Sequence, residues 1–170
     1  MARFTDAFKS PRLLLMIGLG FASGLPNPLT GSTLTAWLSD AGVGMAAIGA
    51  SALLQLPYNF KFVWAWLLDR FAPRLFGRAV LGRRRGWMLI TQIILLIGIL
   101  VMSRFEPVRS PVAIGVLALF IAFVSASQDI AVDAYRTDLL PATQRASGTA
   151  IFVAAYRGAL IVAGAVALVL

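Results

Sequence analysis

Asp129, Asp133 and Arg136 stand at i, i+4 and i+7, a spacing that puts all three side chains on one face of a helix. They close a long run that is free of charge from Val112 until Asp129. A carboxylate in such a place feels two opposed effects: desolvation favours its neutral form, and a nearby cation favours its charged form. That balance suits a group that loads and unloads a proton, which makes Asp129 and Asp133 candidate proton-coupling residues. Gln128 sits beside them, and two further charges, Lys61 and Arg157, interrupt other apolar runs. At ~1.5 Å of rise per residue, Lys61, Asp129 and Arg157 lie roughly 12, 10 and 16 Å into their segments. Similar depth makes Lys61 and Arg157 candidate partners of Asp129, or binders of a substrate carboxylate. The plainer alternatives are a bridge at a helix end for Asp133 and Arg136, and snorkelling to the nearer boundary for Lys61.

A second set is polar and mostly uncharged. Ser23, Asn27 and Thr30 share one face of the first apolar run, while Gln55, Tyr58 and Lys61 surround Pro57 in the second. With Gln128 and Arg157 they are the candidate substrate-binding residues, since hydroxyls and amides here either meet a polar substrate or bond back to their own helix. Proline frees a carbonyl and kinks a helix, and irregular backbone at membrane depth is tolerated where it faces protein or water. Gly20 and Gly24 form a small-xxx-small step suited to close helix packing. Gly148, Ala155, Ala159 and Gly164 repeat the theme near the end of the chain.

Several chemistries are excluded. The chain has no Cys and no His, which removes disulfides, thiol catalysis, zinc fingers, haem–His ligation and any Ser-His-Asp triad. No Gly-rich phosphate loop follows a strand. The residues therefore point away from an enzyme, and no cofactor or metal is expected.

The elements that must hold these residues are long and apolar. Of 170 residues, 59% are hydrophobic and 13% charged, against about a quarter charged in an ordinary soluble domain. Spans of roughly 20 residues cross a bilayer, and five such stretches are expected, at about 13–38, 45–68, 87–103, 112–135 and 146–170. Their runs do not alternate, which argues for helices rather than a barrel. The first is too long for a cleaved signal peptide. Basic residues then set the orientation. Arg3, Lys9 and Arg12, the loop 69–86 with Arg70, Arg74, Arg78, Arg83, Arg84 and Arg85, and the pair Arg136 and Arg145 all fall on one side. Excess Lys and Arg in short loops marks the cytoplasmic face, so the N-terminus is expected inside. The net charge of +8 is thus a topology signal, and no nucleic-acid partner is expected. Trp64, Trp66 and Trp87 flank the basic loop and read as bilayer-facing interface anchors.

Ala65-x-x-x-Asp69-Arg70 followed by Gly82-Arg83-Arg84-Arg85 resembles the loop signature of the major facilitator superfamily. Asp69 falls at a helix C-terminus, where the dipole disfavours a carboxylate. A cationic partner is therefore needed, and Asp69, Arg70, Arg83, Arg84 and Arg136 are the candidate cytoplasmic latch. Gly20 to Pro26, Tyr58 to Asp69, Gly82 to Trp87, Ser125 to Ala134, Leu140-Pro141 and Tyr156-Arg157 together resemble the AmpG-type muropeptide permeases. That resemblance implies an all-α membrane protein, the five N-terminal helices of a 12–14-span transporter, in a bacterial inner membrane. It also implies proton-driven import of anhydro-muropeptides for cell-wall recycling. The implied partners are the muropeptide, protons, membrane lipid and a C-terminal bundle of the same full-length protein. Related permeases for acetyl-CoA, sugars or peptides, and a non-transporting sensor or assembly subunit, remain alternatives. Three features depart from the family pattern: the extra proline of Asn27-Pro28, Trp66 where a proline is expected, and a longer stretch from Arg74 to Leu81, where Gly77-Arg78 repeats the basic element.

Overall fold

The computed structural model describes residues 10–71, 73 and 82–169, with backbone alone for 166–169. Expectations on Arg3, Lys9, Arg74, Gly77, Arg78 and Leu170 lie outside the described residues. Every regular element among the described residues is helical. The first run forms α1 (Pro11–Gly24), α2 (Pro26–Thr30) and α3 (Ser32–Asp40), end to end. Pro26 and Pro28 remove donors where α2 follows α1, and Gly31, at φ -108° and ψ -109°, makes the break before α3.

The second run is helical from 45 to 70 in four short pieces. These are α4 (Met45–Ala50), a 3-10 turn (Ser51–Gln55), α5 (Leu56–Phe60) and α6 (Phe62–Arg70), with Lys61 as the joint between the last two. Two long helices follow, α7 (Arg83–Met102) and α8 (Pro111–Leu139), and after a 3-10 turn (Ala142–Gln144) comes α9 (Arg145–Val169).

Among the described residues, four helical stretches are long and apolar enough to cross a membrane: Pro11–Asp40, Arg83–Met102, Pro111–Leu139 and Ala142–Ala165. The 45–70 stretch is not among them; Gln55, Asn59 and Lys61 make its middle more polar. Two boundaries differ from expectation for a physical reason. Helix α7 begins at Arg83 rather than 87, because Gly82 takes φ 75° and turns the chain, and arginine is a good helix former. Arg83–Arg85 are therefore a helix start and not a loop. Helix α8 runs on to Leu139, carrying its charged face as regular helix.

Helix α8 is the hub, touched by α1, α2, α5, α6 and α7, while α1 lies along α9 over its most extensive interface. The Gly20–Gly24 step makes that interface possible. A methyl group at Gly20 would overlap the Phe152 carbonyl, and one at Gly24 would stand 2.6 Å from the Tyr156 carbonyl and 2.8 Å from Ala159 Cβ. Gly164 meets nothing and takes no part in this packing, and Gly148 instead makes room for Leu140. Two apolar clusters result. One gathers Leu34, Leu54, Leu95, Ile114 and Ile121; the other gathers Leu13, Met16, Val132, Leu140 and Phe152. Along α8 the polar run Ser125–Asp129 falls between them.

Candidate functional site

The polar band between the two apolar clusters holds the candidate site. Four consecutive residues of α8, Ser125 to Gln128, are almost fully buried, so their polar groups need partners inside the protein. Ser127 Oγ donates to the Phe123 carbonyl at 2.8 Å and accepts from Trp64 Nε1 at 3.1 Å. Trp64 also lies against Phe123, ring centroids 4.7 Å apart. It therefore faces α8, which corrects its reading as a bilayer-facing anchor: an indole N–H at this depth is better satisfied by a serine than by hydrocarbon. Trp87 donates to the Phe71 carbonyl at 2.8 Å, and Trp66 is exposed. Gln128 Nε2 donates to Gln92 Oε1 at 2.8 Å, leaving Gln128 Oε1 buried without a partner among the described residues.

Asp129 is held from α1. Ser23, itself buried, donates its hydroxyl to Asp129 Oδ1 at 2.7 Å. One turn further along α8, Asp133 carries two cations. Arg136 Nη2 stands 3.1 Å from Oδ1, and Lys61 Nζ stands 3.7 Å from Oδ2. The Arg136 guanidinium also stacks 4.6 Å over the Phe152 ring, a cation–π contact that ties α8 to α9. An open pocket of about 370 Å³ lies between the start of α6 and the last third of α8, lined by Lys61, Phe62, Ile130, Asp133 and Thr137.

Lys61 thus meets Asp133 rather than Asp129 as its ion-pair partner. Arg157 meets neither, being exposed and in no ion pair among the described residues. In its place α9 brings Tyr156 to the site, close to Asn27, Tyr58 and Asp129. Tyr58 comes from α5 toward Ser125 and Thr30, and its hydroxyl is buried without a hydrogen-bond partner among the described residues. The Thr30 hydroxyl is already engaged by carbonyls of its own helix, Pro26 at 3.2 Å and Asn27 at 3.3 Å. Gln55 is exposed and stands apart from the cluster.

A second charged group sits where α6 ends and α7 begins. Arg84 Nη1 is 2.9 Å from Asp69 Oδ1, and its Nε donates to Asp138 Oδ2 near the end of α8. One planar guanidinium, forked between two carboxylates, joins three helix ends. Of the other candidate latch residues, Arg70 and Arg83 are exposed, and Arg136 belongs to the Asp133 group.

Sequence reasoning missed Asp138, Gln92 and Tyr156. The signal for Tyr156 was present: Ala155 and Ala159 mark the face of α9 that meets α1, and Arg157 lies two residues, about 200°, from Ala155 on a helix.

No family model matches the chain. Among curated proteins, an anhydromuropeptide permease of Escherichia coli (strain K12) is 45% identical over 167 residues, covering 98% of this chain and 33% of its own length. An uncharacterised protein of Haemophilus influenzae is 41% identical over 159 residues, 94% of this chain and 36% of its own. The chain spans about a third of the length of these relatives, and its resemblance to the muropeptide permeases is homology along nearly its whole length.

Proposed function

We propose that this chain, a homologue of the anhydromuropeptide permeases, is one helical bundle of a proton-coupled major-facilitator transporter that imports anhydro-muropeptides across a bacterial inner membrane. The 45–70 stretch crosses the membrane as a fifth, broken span, and the N-terminus is cytoplasmic. A second bundle of the same polypeptide closes the other side of a central cavity, and the two rock against each other in alternating access.

One observation carries this reading. Asp129 is a carboxylate in the polar band between the two apolar clusters, held by a single serine hydroxyl and outside ion-pair distance of any cation among the described residues. Ionisable groups inside a membrane segment are expensive and mark ion or substrate paths. Asp129 takes the proton, while Asp133 keeps Lys61 and Arg136 compensated. Asn27, Tyr58, Gln128 and Tyr156 offer hydroxyls and amides suited to sugar hydroxyls and peptide groups. Arg157, exposed and in no ion pair among the described residues, supplies a cation for the carboxylate of the substrate. Arg84, between Asp69 and Asp138, latches the cytoplasmic ends in one of the two conformations.

Uptake of labelled anhydro-muropeptide into inner-membrane vesicles bearing the complete permease tests this. Asp129→Asn is expected to abolish accumulation driven by a proton gradient while leaving exchange of substrate between the two faces. Unchanged gradient-driven accumulation would overturn the proton assignment. Accumulation of a sugar, a peptide or acetyl-CoA instead of the muropeptide would overturn the substrate.

A further inference from the structure

We propose that Lys61 is a movable cation with two berths, Asp133 and Asp129, and that it changes berth with the ionisation of Asp129. The geometry around Asp133 motivates this. Its two oxygens face two cations, but unequally: Arg136 is at 3.1 Å and Lys61 at 3.7 Å, too long for a hydrogen bond. Arg136 has a second hold, the Phe152 ring at 4.6 Å. Asp133 thus stays compensated when Lys61 leaves, whereas Arg136 would forfeit two contacts by moving.

The destination is one helical turn away. Asp129 lies on the same face of α8, about 6 Å along the axis. Among the described residues only Ser23 donates to it, at Oδ1, so Oδ2 remains open to a cation. The neighbours facing Asp129 from other elements include neutral groups, Ser23 on α1, Tyr58 on α5 and Tyr156 on α9, with Asn27 of α2 behind Tyr156. Lys61 and Asp133 are the charged groups near it.

Lys61 is also built to move. It is the joint between α5 and α6 and not an interior helix residue. Its side chain, 35% exposed, lies along the open pocket beside Asp133. An ammonium on a flexible four-carbon stem adjusts its reach more freely than a planar guanidinium fixed by stacking. With Asp129 protonated, Asp133 is the remaining anion and holds Lys61. With Asp129 ionised, two anions one turn apart share two cations, and one cation for each is the lowest-energy arrangement. The inference rests on the transport reading only for what the movement serves, since the movement belongs to the charges themselves.

Distances measured by solid-state NMR in lipid bilayers test it. This stretch has two lysines, Lys9 and Lys61, so segmental labelling of it within the complete permease, with Lys9→Arg, leaves one labelled ammonium nitrogen. Its dipolar coupling to labelled aspartate carboxyl carbons is read at acidic and alkaline pH. At acidic pH the coupled carboxyl should be the one lost in Asp133→Asn, and at alkaline pH the one lost in Asp129→Asn. Should either variant fail to insert, the parent spectra still decide, because the coupled resonance must change identity between the two conditions. Coupling to the same carboxyl at both pH values overturns the inference. Movement in a full-length permease that accumulates nothing would uphold it and overturn the transport reading.

Discussion

The Ser23 hydroxyl donates to the Asp129 carboxylate at 2.7 Å, joining residues 106 positions apart. The bond fixes how α1 meets α8 at the level where the polar band begins. A hydrogen bond to a charged group contributes about 1.5–3 kcal/mol. Ser23→Ala is expected to cut gradient-driven uptake by the complete permease at least tenfold, with surface expression unchanged. Ser23→Thr, which keeps the hydroxyl, is expected to retain most of it.

Glycine to alanine has opposite expected effects at two positions of α1. At Gly24 the new methyl would meet the Tyr156 carbonyl and Ala159, whereas at Gly18 it meets nothing within 4 Å. Overpacking costs about 1–3 kcal/mol, and an unobstructed alanine gains up to ~1 kcal/mol in helix propensity. Thermal melting in detergent should therefore show Gly24→Ala lowered and Gly18→Ala unchanged or raised.

Arg84 serves Asp69 and Asp138 together. Both carboxylates are more than half exposed, so each bond contributes only about 0–1 kcal/mol, and the fork matters more than the strength. Arg84→Lys is expected to lose nearly as much as Arg84→Gln, because an ammonium cannot span both partners. Thermal melting in detergent is the measurement, with both variants expected to melt lower by a similar amount.

The Gln92–Gln128 pair gives a non-additive expectation. Gln92→Leu removes the acceptor of a buried amide, at a cost of about 1–3 kcal/mol. Replacing both glutamines by leucine removes the stranded group as well, so the double variant should melt above the single one.

Much of this site was legible from spacing. Asp129, Asp133 and Arg136 share a face because 3.6-residue periodicity puts them there, and the Gly20–Gly24 step does meet the small residues of α9. What spacing does not carry is the rotation of one helix against another. Arg157 was matched to Asp129 by depth, yet α9 is turned by the contact of Gly24 with Tyr156 and Ala159, which brings Tyr156 inward and leaves Arg157 exposed. Asp138 was hidden for a related reason. Its partner Arg84 lies 54 positions away, and only the antiparallel packing of α7 on α8 brings the two ends together. Trp64 was ambiguous by type, since an indole suits both an interface and a buried serine.

The 3-10 turn Ser51–Gln55 carries a consequence for the whole 45–70 stretch. A 3-10 turn winds about 120° per residue against about 100° in an α-helix. Over five residues this puts the following pieces about 100° out of phase with the preceding one. Gln55, the last residue of the turn, is exposed, while Tyr58 on α5 faces α8. A cysteine-accessibility scan from 45 to 70 should show two stripes with a phase slip between them. One periodicity fitted across the stretch would average the stripes away.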